Sequence, residues 1–276
     1  MSNLMALWSE AYRNAHPGVR VQVQSAGSAT AAPALIQGVA DLGPMSRLMS
    51  ADEVERFTHR YGYAPRAVPV ALDALAVYVH RDNPLPELDL RSLDAIFGRN
   101  FRCGGEGRID HWQSLLAAGS GLSGKMVLYG RNSASGTHAY FRSAALCGGD
   151  FLARVNEQPG SASVVQAVGA SLQAMGYSSA GYLTPGVRAL PLRRGAATQA
   201  LAPRPEYILS GAYPLSRTLY IYLNMPPGRS LSPVVADFLR MVLSADGQSV
   251  VRKDGYVPLP VDRVVELRQT LGLTRS

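Results

Sequence analysis

Gly130-Arg131-Asn132-Ser133-Ala134-Ser135-Gly136-Thr137 follows an apolar run, Lys125 to Tyr129, that reads as a strand, and it leads into a helical pattern carrying Tyr140 and Phe141. A strand that becomes a helix across a loop of glycine and hydroxyl residues is the repeating joint of an α/β protein. The first turn of such a helix leaves backbone N–H groups without intrahelical partners, and the helix dipole adds partial positive charge there. Nearby hydroxyls add donors, and glycine lets an anion approach the backbone closely. Arg131, four residues before Ser135, supplies a planar fork of donors and a full positive charge. Taken alone, the loop reads first of all as an ordinary helix cap.

The same joint occurs earlier in the chain. Val19, Val21 and Val23 alternate as a strand, and Gly27-Ser28-Ala29-Thr30 opens a short helix through Ala34, Leu35, Ile36 and Val39 that closes near Gly38. Two such loops, with Arg131, point toward a tetrahedral oxyanion. Neither is a P-loop, because the lysine that follows the final glycine of a nucleotide triphosphate site is missing.

Farther out, Asp41-Leu42-Gly43-Pro44-Met45-Ser46-Arg47 reads as a short strand and its loop, and Ser50 to Phe57 as a capped helix. Val68 to Val79 is the most apolar run, with Asp73 in its middle. A short helix is expected within Pro84 to Asn100, a capped helix after Pro159-Gly160-Ser161-Ala162-Ser163 reaching Leu172, and a strand over Tyr177 to Tyr182. Residues 194–204 read as a loop, Tyr213 to Leu223 as a strand, and Ser232 to Leu243 as an amphipathic helix. The N-terminus has helical spacing at Leu4, Met5, Trp8 and Tyr12 and no recognisable secretory signal. An α/β unit that opens on a helix has lost its first strand, so the numbering is expected to start late. The alternative is a genuine cytoplasmic start with Ser2 or Asn3 as the first cap.

The 276 residues leave room for about two compact units, and 47% hydrophobic with 17% charged residues excludes general disorder. A net charge of +7 favours anionic partners. No apolar run reaches the roughly 18 residues that a spanning helix needs. Two cysteines exclude a disulfide-rich scaffold and a cysteine zinc cluster, and the histidines show no metal-ligand spacing. Cys103 and Cys147, both near glycine-rich loops, either form one disulfide or stay free.

The chain resembles the phosphate-binding proteins of ABC transporters, the periplasmic substrate-binding family of PstS type. The matching stretches are Trp8 to Tyr12, Gly27-Ser28, Asp41 to Arg47, Asp73 to Val79, Arg131 to Thr137, Gly176 to Tyr182, Tyr213 to Arg217 and Leu219 to Asn224, with Arg131-x-x-x-Ser-Gly-Thr137 the most specific. The resemblance implies a type II periplasmic-binding-protein fold of two α/β lobes, one formed by 1–74 plus 220–276 and the other by 75–219, with the ligand cleft between them. It also implies a periplasmic monomer that closes around inorganic phosphate and passes it to an inner-membrane permease, without cofactor, metal or catalytic residues and with no nucleic acid as partner. Carried over by position, Ser28 comes from one lobe, and Arg131, Ser135, Gly136 and Thr137 from the other.

Some members place an aspartate where Ser46 stands, to accept the proton of phosphate and reject sulfate. Asp73 is the candidate replacement, either accepting that proton or pairing with Arg47 or Arg131. Arg47 reads as an anion ligand or a hinge salt bridge, Ser161 and Ser163 as cleft hydroxyls or caps, and His138 as a surface or core histidine. Arginines 188, 193, 194 and 204 read as a solvated basic face, and Tyr78, Tyr220 and Tyr222 as a hinge core. Two rival functions stand beside transport: a phosphate-ester or serine hydrolase using Ser135, and an extracellular interaction or sensory protein that keeps the fold.

Overall fold

The computed structural model describes residues 1–195 and 199–274. In chain order the elements are α1 (Ser2–Ala15), α2 (Ser28–Gln37), β1 (Leu42–Met45), α3 (Ala51–Tyr61), β2 (Arg66–His80), β3 (Leu88–Asp89), α4 (Leu90–Phe97), β4 (Val127–Arg131), α5 (Gly136–Ala145), β5 (Asn156–Gln158), α6 (Ser161–Gly169), β6 (Ala174–Ser179), β7 (Val187–Ala189), β8 (Leu192–Arg193), α7 (Pro205–Leu209), β9 (Ser216–Leu223), α8 (Pro233–Val242), α9 (Ala245–Lys253) and α10 (Val261–Thr270). The chain divides into two compact units: Met1–Leu72 with Thr218–Ser276, and Asp73–Arg217.

In the first unit, β1 pairs antiparallel with β9, from Leu42 opposite Leu223 to Met45 opposite Tyr220. The helical spacing read from α1 is that of its buried face. Leu4, Met5, Trp8 and Tyr12 pack with Val68, Val70, Leu219, Ile221, Phe238 and Leu239, and the Trp8 indole donates to the Gly247 carbonyl at 2.9 Å. A smaller cluster joins Leu35 of α2, Met45 of β1, Phe57 of α3 and Tyr222. At α3 the Ser50 side chain caps the Glu53 amide and the Glu53 carboxylate returns to the Ser50 amide, which fixes where the helix begins.

Val19 to Val23 depart from expectation. Their burial alternates, and all three valines pack on the core. Residues 20–25 nevertheless make no backbone ladder bond among the described residues. Alternation sets which side chains turn inward, but a strand also needs a neighbour to share its N–H and C=O groups. The segment is therefore extended coil.

In the second unit, β4 runs parallel to β5 and β6, β6 pairs antiparallel with Leu75–Val79 of β2, and β7 covers the other edge of β2 at Tyr78–His80. Helix α6 packs on this sheet through Val164, Val165 and Val168. An aromatic stack of Phe141 on Tyr177, with centroids 3.9 Å apart, joins α5 to β6, and Phe97 of α4 meets both rings edge-on. Cys103, after α4, is bonded to Cys147, after α5, which settles the open reading in favour of a disulfide.

Other departures are smaller. The strand expected over Tyr177 to Tyr182 lies over Ala174–Ser179, because Ala180–Tyr182 tighten into a 3₁₀ turn, and α6 stops at Gly169, short of Leu172. The arginine face is not wholly solvated. Arg188 donates to the carbonyls of Asn83 and Leu85, and Arg193 lies against Glu87 and Asp89. Backbone carbonyls and carboxylates brought close by the fold are unreadable from an arginine count. Of the expected loop 194–204, residues 196–198 lie outside the described residues.

Candidate functional site

In the first unit, Gly27 is the N-cap of α2 with φ +112°, a backbone state that a Cβ makes costly, and it leaves Ser28 as the first helical residue. Ser28 is buried, and its Oγ accepts from the Ser46 amide at 3.1 Å and lies 3.4 Å from the Ser46 Oγ. The loop after β1 and the start of α2 are thereby tied together, with two hydroxyls side by side at a helix N-terminus. Thr30 takes no part: it is exposed and donates back to the Gly27 carbonyl.

Arg47 departs from both of its readings. Its guanidinium grips Glu53 with two bonds of 2.6 and 2.7 Å, inside the first unit, so it is neither a free anion ligand nor a hinge bridge. Burial pushes the Glu53 carboxyl up, but the Arg47 fork and the Ser50 amide outweigh it and hold the group below the usual carboxylate range. A carboxyl depressed by folding stabilises above its unfolded pKa, and that stability is lost as pH falls through the folded value. The stability that wild type loses on acidification from pH 7 should therefore shrink in Glu53→Gln, as read by urea midpoints at a series of pH values. Parallel curves for the two proteins would refute the assignment.

In the second unit, β4 ends at Arg131 and α5 begins with Ser135 as its N-cap, the Ser135 Oγ accepting from the Thr137 amide at 3.1 Å. Ser135, Gly136 and Thr137 are all buried. The Arg131 guanidinium donates to the Ser161 Oγ and to the Pro159 carbonyl, each at 3.0 Å, which holds it at the start of α6. Ser161 is thus a guanidinium partner, and neither it nor Ser163 caps α6, whose N-cap is Gly160. Gly130 is required by close approach: a Cβ there would lie 2.6 Å from the Tyr177 ring, displacing the strand end that aims Arg131.

Asp73 pairs with Arg217, not with Arg47 or Arg131. The Arg217 Nε and Nη2 donate to Asp73 Oδ2 at 2.9 and 2.7 Å, Ser179 donates to Oδ1 at 2.8 Å, and Arg217 Nη2 also donates to the Thr137 Oγ1 at 3.0 Å. Both charged side chains are almost fully buried. Arg217 and Ser179 were missed by the sequence reading. The available signal was an arginine opening the apolar run Leu219 to Leu223, the mirror of an acid inside Val68 to Val79. His138 is half-buried and packs on Phe151, with ring centroids 4.4 Å apart, and burial pushes its imidazole below the ordinary value.

Each unit therefore carries its own donor set: Ser28 with Ser46 in the first, and Arg131 with Ser135, Gly136 and Thr137 in the second. The α5 set combines an N-terminal helix turn, two buried hydroxyls and a guanidinium, and it suits an oxyanion. Among the described residues no group of His, Cys, Asp or Glu is placed to hold a metal ion.

Comparison with known proteins places these features in a family context. The PBP superfamily domain matches residues 1–246. A phosphate-binding protein PstS of Pseudomonas aeruginosa is 48% identical over 273 residues, covering 99% of this chain and 84% of that protein. Protein SphX of Synechococcus elongatus is 26% identical over 260 residues, covering 91% and 73%. Among solved structures, an ABC-type phosphate transport receptor from Vibrio cholerae is similar with a TM-score of 0.73 and 23% identity, covering 94% of this chain and 96% of that one. A Clostridium perfringens protein solved with bound phosphate is similar with a TM-score of 0.76 at the same identity and coverages.

Proposed function

Because this chain belongs to the PBP superfamily, and within it to the phosphate-binding proteins of PstS type, we propose that its two donor sets act on one inorganic phosphate and that the loaded protein delivers it to an ABC-transporter permease. The observation that carries this reading is the α5 turn, where an arginine, two buried hydroxyls and a glycine-started helix stand together. Each contact to an ionised ligand contributes more than a neutral hydrogen bond, about 1.5–3 kcal/mol. A ligand that draws on both sets favours whatever arrangement lets both reach it, which is the physical basis of closure and of recognition by a permease. The protein works in this reading as a periplasmic monomer, and the Cys103–Cys147 bond fits an oxidising compartment.

A hydrolase would need Ser135 activated by a base. Its Oγ caps a helix instead, and no imidazole or carboxylate bonds to it among the described residues. Calorimetric titration tests the proposal. Phosphate is expected to bind with one site per chain, and a chromogenic phosphate ester to remain uncleaved. Absence of phosphate binding, or ester turnover abolished by Ser135→Ala, would overturn it.

A further inference from the structure

We propose that Arg217 is a positioning residue of the anion site, which turns the hydroxyl of Thr137 into a donor toward the bound phosphate; this rests on the phosphate-binding reading above. Thr137 is buried, and its Oγ1 accepts from Arg217 Nη2 at 3.0 Å. A guanidinium has five N–H donors and no acceptor, so the hydroxyl hydrogen must point away from it. No protein atom among the described residues accepts that hydrogen. A buried hydroxyl with its hydrogen unpaired is costly, and it stands in the first turn of α5 beside the Ser135 cap, where an anion would accept it.

Asp73 and Ser179 hold the arginine in turn. Asp73 Oδ2 takes two bonds from Arg217, and Ser179 fixes the other carboxylate oxygen, so the guanidinium plane is set before any ligand arrives. The Tyr140 ring lies under the guanidinium at 5.7 Å, and its hydroxyl donates to the Ser216 carbonyl next door. The relay therefore runs from Ser179 through Asp73 and Arg217 to Thr137, with only its last member meeting the ligand. Lysine could keep the charge beside Asp73 but not the flat fork that serves carboxylate and hydroxyl together.

A double-mutant cycle on the full chain, read by calorimetric titration with inorganic phosphate, separates positioning from a general structural role. Arg217→Lys is expected to weaken binding about tenfold in the wild-type background, and also in Thr137→Ser, which keeps the hydroxyl. In the Thr137→Val background the same change is expected to cost less than about twofold. An equal loss in the valine and wild-type backgrounds would overturn the inference while leaving phosphate binding intact. Failure of the wild-type chain to bind phosphate would instead strike the functional reading, and this inference with it. If Arg217→Lys does not fold, Asp73→Asn with Arg217→Gln, which removes both charges together, replaces it in the cycle with the same expected pattern.

Discussion

Arg131→Ala is expected to weaken phosphate binding by about two orders of magnitude, with little change in the stability of the unliganded protein. The guanidinium is the one formal charge in the α5 donor set, and charge-assisted hydrogen bonds to an oxyanion each contribute about 1.5–3 kcal/mol. Its anchors, the Ser161 hydroxyl and the Pro159 carbonyl, lie where Arg131 is part-exposed, so water can replace it at modest cost. Arg131→Lys should recover only part of the loss, because an ammonium cannot bond Ser161 and Pro159 in that flat geometry while facing the ligand. Titration of the three proteins decides the matter. Undiminished binding by Arg131→Ala would remove Arg131 from the site and favour the sensory or interaction reading.

The second large effect falls on stability. Asp73→Ala leaves Arg217 charged inside the protein without its carboxylate, and breaking a buried pair by removing one partner costs about 3–5 kcal/mol. The Ser179 hydroxyl loses its acceptor at the same time. Asp73→Leu with Arg217→Met should unfold at a higher urea concentration than Asp73→Ala, since two apolar side chains leave no stranded charge. If the single change proves neutral, the pair contributes nothing to holding the second unit together.

The contrast between Ser135 and Arg217 shows what is legible in a chain such as this. Ser28, Ser135, Gly136 and Thr137 are readable because cap, glycine and hydroxyl are neighbours in sequence, and the helix start that gathers them is local. Asp73 is readable only as an anomaly. Its partner Arg217 comes from a distant part of the chain, and no local period encodes which arginine a buried acid meets. The same reason hides β3 and β8, two residues each, which pair with one another across a long stretch of chain. The α1 face, the β2 run and the helix after Ser50 were legible because each repeats its apolar spacing or carries its own cap. At Val19 to Val23 the spacing correctly marks the inward side chains, while the missing ladder depends on a neighbour that spacing does not describe.

Ser46 bears on the selectivity expected of the proposed site. Its amide and hydroxyl lie at Ser28, in a loop where some relatives are expected to carry an acidic acceptor, and Asp73 is engaged by Arg217 and Ser179. If phosphate draws on this loop, as proposed, discrimination between a protonated and an unprotonated tetrahedral anion is expected to rest on hydroxyls, which can either donate or accept.

Diffraction from crystals grown with phosphate tests the central claim most directly. The account predicts one tetrahedral density within hydrogen-bond reach of the Ser28 Oγ, the Arg131 guanidinium, the Ser135 Oγ and the Thr137 Oγ1 at once. Phosphate bound to one donor set alone, or found away from both, would contradict it.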